Sequence, residues 1–383
     1  GKLNVTADGA TVRNLNINNG SSTAGYIGAK DVLIENCNIT GSNGFYQSYT
    51  SGLVTFKDST ISGGTYGIHF DGNAGGEIVI NNCVIKGWTS FAAAINKVTI
   101  TGSKFVEGNY NQLRFYQNAT IENTEFNPSM TVDFRKENGV ATFENCSVSD
   151  GTSLLDVIHL EDIVNRGVEV KVNNETVVVE AMVEGVAYLT LQEAIDAAQA
   201  GETVKLVKDV ELENTLTVAA GKVVTLDLAG HTISQEKACT ASYAMIENKG
   251  SLTITGNGKV SFKDTSAGDS SFGWGSYTIA NYGTLVVENG TIENLSSQNA
   301  DAGYVVHMYS AIQQNADTAT TTINGGKVST PSYRSIRINR GSLTVNDGEI
   351  VGQVWVQPFA ATASLTINGG TFAPTGVDGS SVF

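Results

Sequence analysis

His69, Arg114, Asp133 and Asp156 are the ionisable side chains whose spacing could support catalysis. Each takes the third place in a short alternating segment, GIHF, QLRF, TVDF and LLDV, and Ala94 takes that place in the intervening AAAI (92–95). Arg114 between Ala94 and Asp133, with Asp156 beyond, is a thin version of what polysaccharide lyase chemistry requires. That reaction needs a base to remove a proton and cationic charge to neutralise a uronate carboxylate. An ordinary Arg114–Asp133 surface ion pair is the plainer reading. A second set, Trp274, Tyr309, Tyr333, Arg337 and Trp355, is aromatic and basic, and the segments YAMIEN, YTIAN, SAIQQ, SIRIN and QVWVQ predict an outward column of Met245, Thr278, Ala311, Arg337 and Trp355, with Arg337 next to Trp355. Exposed rings beside guanidinium and hydroxyl groups suit a sugar, because a pyranose has an apolar face and a rim of hydroxyls. Tyr46, Tyr49, Tyr66, Trp88, Tyr110 and Tyr116 add rings in segments that read as loops, and there a ring can equally pack inward.

Other chemistries lack their residues. No nucleophile is marked out for Ser-His-Asp chemistry, and no phosphate-binding loop, dinucleotide fingerprint or His/Cys metal spacing occurs. Asp209, Glu211 and Glu213 alternate on one face and could offer calcium hard oxygen ligands; a solvated strand face explains them as well. The 23 basic and 38 acidic residues leave a net charge of −15, which argues against a nucleic-acid partner. The acidic excess is concentrated between 151 and 215. No run of eighteen apolar residues occurs, so no membrane insertion is expected, and no signal peptide precedes Gly1. With 42 Gly, 4 Pro and only 16% charged residues, the composition favours strands and turns.

The elements that must position these side chains come from an internal repeat. VLIENCNI (32–39), VTFKDSTI (54–61), IVINNCVI (78–85), VTITGSKF (98–105), ATIENTEF (119–126) and ATFENCSV (141–148) are versions of one phrase. It returns as LDLAGHTI (226–233), LVVENGTI (285–292), TTINGGKV (321–328), LTVNDGEI (343–350) and LTINGGTF (365–372), with LTITGNGKV (252–260) carrying one extra residue. Positions one, three and eight are apolar, the fifth is mostly Asn, Asp or Gly, and the sixth is small. That pattern predicts strand, tight turn, strand, with left-handed backbone at the fifth position. Such a unit must stack on its neighbours to bury its apolar face. Parallel stacking at about 4.8 Å per coil then turns each position into a column. Cys37 and Cys83 fall two coils apart in the sixth column, beyond disulfide reach, and read as buried thiols.

These repeats resemble those of right-handed parallel β-helices of the pectin-lyase-like superfamily, and β-helical surface proteins of gut bacteria in particular. The resemblance implies an all-β solenoid. It carries no catalytic set here: the N-T-D, D-D, G-H-G and R-x-K motifs of polygalacturonase-like hydrolases are missing.

The repeat breaks between 149 and 220. GVEVKVNNETVVVE reads as a hairpin around Asn173 and Asn174. Beyond it, Thr190 and Glu193 have capping-box spacing, Leu191, Ala194, Ile195 and Ala198 share one face, and Gly201 stops the run. This predicts a short amphipathic capping helix at about 190–200. The expected organisation is a first β-helix over 1–160, a junction hairpin over 161–180, and a second, stacked β-helix over 181–383. No comparable cap precedes Val5, so the natural protein is expected to continue upstream. The functional expectation is a non-catalytic, adhesin-like bacterial module, secreted or at the cell surface, that binds polysaccharide or a host or bacterial surface glycan. The alternatives are a lyase or hydrolase acting on an acidic polysaccharide, and a structural spacer.

Overall fold

The computed structural model describes residues 1–71, 75–266, 275–296, 309–357 and 362–375; at Ser332 and Tyr333 the description is confined to the backbone. The chain divides into two compact units, Gly1–Val178 and Val179–Phe383. Each is a parallel β-helix: strands of successive coils pair in parallel, and the sheets run the length of the unit.

The phrase positions set the register in the first unit. Ile34, Phe56, Ile80, Ile100, Ile121 and Phe143 are paired neighbours in one row. All six are fully buried. The eighth positions, Ile39, Ile61, Ile85, Phe105, Phe126 and Val148, form another buried row. The turn between the rows needs a positive φ, and Asn36, Asp58, Asn82, Asn123 and Asn145 adopt 49 to 51° there. Their side chains bond across coils: Asn82 donates to Asp58 at 2.6 Å and Asn145 to Asn123 at 2.7 Å. In the sixth column, the Cys37 and Cys83 amides donate to the Ser59 and Ser103 hydroxyls one coil on. All four cysteines are free. Burial pushes the Cys83 thiol up to about 11, so it packs as an inert group.

In the second unit the inward rows are Val224, Leu252, Leu285, Thr321 and Leu343, and beside them Leu226, Ile254, Val287, Ile323 and Val345; Leu365 and Ile367 continue the two rows but are not buried. The segment 226–233 is therefore two residues out of phase with the phrase: the true first position is Val224, and the turn that follows has two extra residues. The left-handed position also moves from fifth to sixth, onto Gly290, Gly326, Gly348 and Gly370. A Cβ on Gly326 would stand 2.3 Å from the Gly290 carbonyl oxygen, which no side chain tolerates. One polar ladder lies inside. Asn248 donates to Asn281 at 2.9 Å and to the Thr284 carbonyl at 2.8 Å, and Gln314 donates to the Ala319 and Arg340 carbonyls. These amides satisfy corner carbonyls that water cannot reach.

An end coil leaves strand edges without a pairing strand. In the second unit the helix Leu191–Ala197 meets this need, opened by the expected Thr190–Glu193 capping box. Leu191, Ala194, Ile195 and Ala198 are buried in the unit's core. The Gln192 side-chain amide accepts from the Thr217 N–H at 2.8 Å and donates to the Thr217 carbonyl at 3.0 Å, imitating the absent strand. The first unit uses the helix Glu161–Arg166, whose Asp162 accepts from the Phe134 N–H at 2.8 Å. Sequence reading did not foresee that helix. It also placed 161–180 in a junction. The strand Glu169–Val172 instead pairs in parallel with Val140–Glu144, and Glu175–Thr176 folds back on it, so the hairpin is the last strand pair of the first unit.

Replacing Ile80 or Ile100 with Asp is expected to lower stability by roughly 4 kcal/mol or more, by placing a carboxylate in a dry column. A melting temperature equal to wild type would reverse the inward assignment. Gln192→Ala is expected to speed hydrogen exchange at the Thr217 amide while amides in the middle coils stay protected. Unchanged Thr217 protection would show that the helix does not serve that edge.

Candidate functional site

The third wall of the first unit places side chains of alternate direction on the strands Thr60–Phe70, Val84–Phe91, Gln112–Phe115 and Thr131–Phe134. Phe70, Phe91, Phe115 and Phe134 point inward, and the residue before each points outward. The outward row is His69, Ser90, Arg114 and Asp133. The Val132–Ile158 bridge then puts His159 next in line. The row therefore contains His69, Arg114 and Asp133 as expected, but not Ala94 or Asp156. Residues 92–95 form a turn rather than a strand. Residues 154–156 form a 3-10 turn that Asp156 caps by accepting from the Ser153 N–H, so its carboxylate serves its own loop. Ser90 and His159 were missed because only the pairing register identifies them.

Arg114 Nε lies 3.0 and 3.1 Å from the two Asp133 oxygens, and Arg135 reaches the same carboxylate at 2.8 Å. Asp133 is 3% exposed. Burial alone would lower the Arg114 pKa, but the hydrogen bonds and charge of Asp133 outweigh it and hold the guanidinium above its ordinary value. Such a group stays protonated and is not a base. Burial holds His69 below its ordinary value, against the opposing charge of Asp71. Its Nδ1 accepts from the Gln47 N–H at 3.3 Å, which leaves the proton of the neutral ring on Nε2.

Beside this row runs a second one made of rings. Tyr46, Tyr66 and Trp88 lie in strands, not loops, with centroids 4.9 and 5.0 Å apart, and Arg114 continues the stack 5.1 Å from the Trp88 centroid. His69 packs against both tyrosines at 5.2 and 4.6 Å. These rings cover one another's faces, so they present edges to solvent. A shallow groove of about 390 Å³ opens alongside, lined by His69, Phe70, Asp71, Trp88, Ser90, Ala92, Ala93, Ala94, Arg114 and Tyr116. Tyr116 is 37% exposed and stands outside the stack.

In the second unit Arg337 and Trp355 are ladder partners, and the Arg337 and Arg334 guanidinium carbons lie 4.9 and 4.7 Å from the indole centroid. Trp355 is partly exposed. The column leading to this pair, expected to be Met245, Thr278 and Ala311, is instead Glu247, Ala280 and Gln313. Alternation breaks there, since Met245 with Ile246 and Ala311 with Ile312 are consecutive core residues. Tyr309 is buried at 3% exposure, with its phenol pushed up to about 12 by burial and the nearby Asp264, and so is removed from any ligand surface. Trp274 lies outside the described residues, as does the Tyr333 side chain. Asp209 accepts from the Thr232 N–H, and among the described residues no three Asp, Glu, His or Cys side chains converge as a metal site requires.

A family model described as a right handed beta helix region matches residues 2–90. With the parallel ladders of both units, this makes the fold a right-handed parallel β-helix. No curated protein and no solved structure matches the chain.

Because the folded state lowers the His69 pKa, the unfolded chain binds more protons below about pH 6.5. Stability is therefore expected to fall as pH drops through that value, and the loss to level off below the folded pKa. Ring nitrogen shifts in NMR should show the Nε2–H tautomer at neutral pH, and His69→Gln should weaken the acid sensitivity. Titration of His69 above 6.5 would contradict this geometry.

Proposed function

We propose that this chain is a non-catalytic glycan-binding β-helix, adhesin-like, acting where it is secreted or displayed at a bacterial cell surface. The observation that carries the reading is the groove beside Trp88. It combines an apolar floor, Ala92 to Ala94, with the exposed Tyr116 ring and with neutral donors and acceptors at Ser90 and His69. A pyranose requires that mixture. Stacking on Tyr66 or Trp88 is excluded because Tyr66 lies between Tyr46 and Trp88, and Trp88 between Tyr66 and Arg114. Contact is therefore with ring edges, and among the residues lining the groove Tyr116 offers an exposed ring outside that stack. Each contact of this kind is weak, so affinity depends on a polymer meeting several molecules or several coils.

The lyase alternative draws less support. Arg114 is fixed in its protonated form by Asp133, and the Nδ1 lone pair of His69 is engaged by a backbone N–H. Neither is poised to remove a proton from a sugar.

Tyr116→Ala is expected to weaken retention on immobilised polysaccharides at least tenfold with an unchanged circular dichroism spectrum. The double variant Arg337→Ala with Trp355→Ala should leave retention as it is. If the double variant loses binding while Tyr116→Ala does not, the ligand surface belongs to the second unit. Release of unsaturated uronate, seen as new near-ultraviolet absorbance, would establish a lyase instead.

A further inference from the structure

Resting on that reading, we infer that the groove takes an uncharged glycan and that Asp133 closes it to acidic ones. Two charged side chains line the groove, Asp71 and Arg114. Arg114 would be the natural receptor for a uronate or sulfate, since a guanidinium recognises such groups through paired donors. Here the Nε–Nη2 edge of the guanidinium is already directed at a carboxylate, and Tyr116 is a further hydrogen-bond partner of the same group. Arg114 Nε and Nη2 both lie within 3.1 Å of Asp133 oxygens, and Asp133 is almost fully buried. An incoming carboxylate would have to compete with one held in place and desolvated beforehand. Arg135 completes the balance by sharing the same oxygen at 2.8 Å. The charges therefore cancel: Arg114 and Arg135 against Asp133 and Asp71.

The remaining surroundings point the same way. His69 is neutral near pH 7, so it offers hydrogen bonds rather than a cation. The net charge of −15 adds a long-range repulsion of polyanions that salt screens. The side chains left to meet a ligand are Trp88, Ser90, Tyr116 and the Ala92–Ala94 floor, which suit hydroxyls and C–H groups.

The test uses the intact chain, with neutral β-glucan and polygalacturonate as probes in affinity electrophoresis at low and high salt. Wild type is expected to be retarded by the neutral polymer to the same extent at both salt concentrations, and not by polygalacturonate. Asp133→Asn removes the internal carboxylate and should create retardation by polygalacturonate, at least tenfold above wild type at low salt and lost at high salt. Asp71→Asn, an exposed change that spares the buried pair, should give a smaller gain of the same sign and serves if Asp133→Asn does not fold. Salt-sensitive retardation of wild type by polygalacturonate, abolished by Arg114→Ala, would overturn the inference, as would a folded Asp133→Asn with no gain. If Asp133→Asn gains polygalacturonate binding while wild type ignores every neutral polymer, exclusion by Asp133 stands and the glycan-binding reading falls.

Discussion

Backbone pairing between successive coils is the constraint on which the rest of this structure depends. A parallel ladder sets each residue beside its counterpart at about 4.8 Å, so a side chain's nearest neighbour is fixed by register. Everything then has to be tolerable as a column. Branched and aromatic apolar side chains meet that condition inside, where Phe105 stacks on Phe126 with an interplanar angle of 10°. Asn and Asp meet it at the turn, since the Asn36, Asn82 and Asn145 amides donate to the Asn or Asp side-chain oxygen of the coil before. Charged residues can meet it by alternating sign, as Arg13, Glu35 and Lys57 do along one outward row.

The same constraint limits what an exposed row can bind. A ring in a column spends both faces on its neighbours, as Tyr66 does between Tyr46 and Trp88. A basic residue in a column finds the next coil's side chain before it finds a ligand, as Arg114 finds Asp133. Binding capacity therefore concentrates where the column is interrupted. At residues 92–95 the chain turns out of the ladder, and there small side chains open a groove beside Trp88 and Tyr116.

These two circumstances explain how much was legible in the sequence. The inward rows of the first unit, the positive-φ turns and the Thr190 cap were readable because each has a local signature: period-two alternation, Asn at the fifth position, and Thr followed by Glu three residues on. Arg337 beside Trp355 was readable because SIRIN and QVWVQ carry them at the same place in successive coils. Register across loops of different length was not. It took the wrong residue from AAAI and LLDV, and it failed in the second unit where Met245 and Ile246 both turn inward. Buried polar groups were hidden for a related reason, since Asn248, Asn281 and Gln314 have the appearance of surface residues until their carbonyl partners are seen.

The helices at 161–166 and 191–197 show the physical cost of ending a ladder. Neither is long enough to be stable alone, and tertiary packing must hold both. What they contribute is chemical: Asp162 and Gln192 present side-chain oxygens to N–H groups that no further strand will meet. Gln192 also supplies a donor to the adjacent carbonyl, so a single amide reproduces both halves of a strand pairing. Asp162 can only accept, and its negative charge is met by Arg166 from the same helix. An amide at one edge and an ion pair at the other thus perform one task.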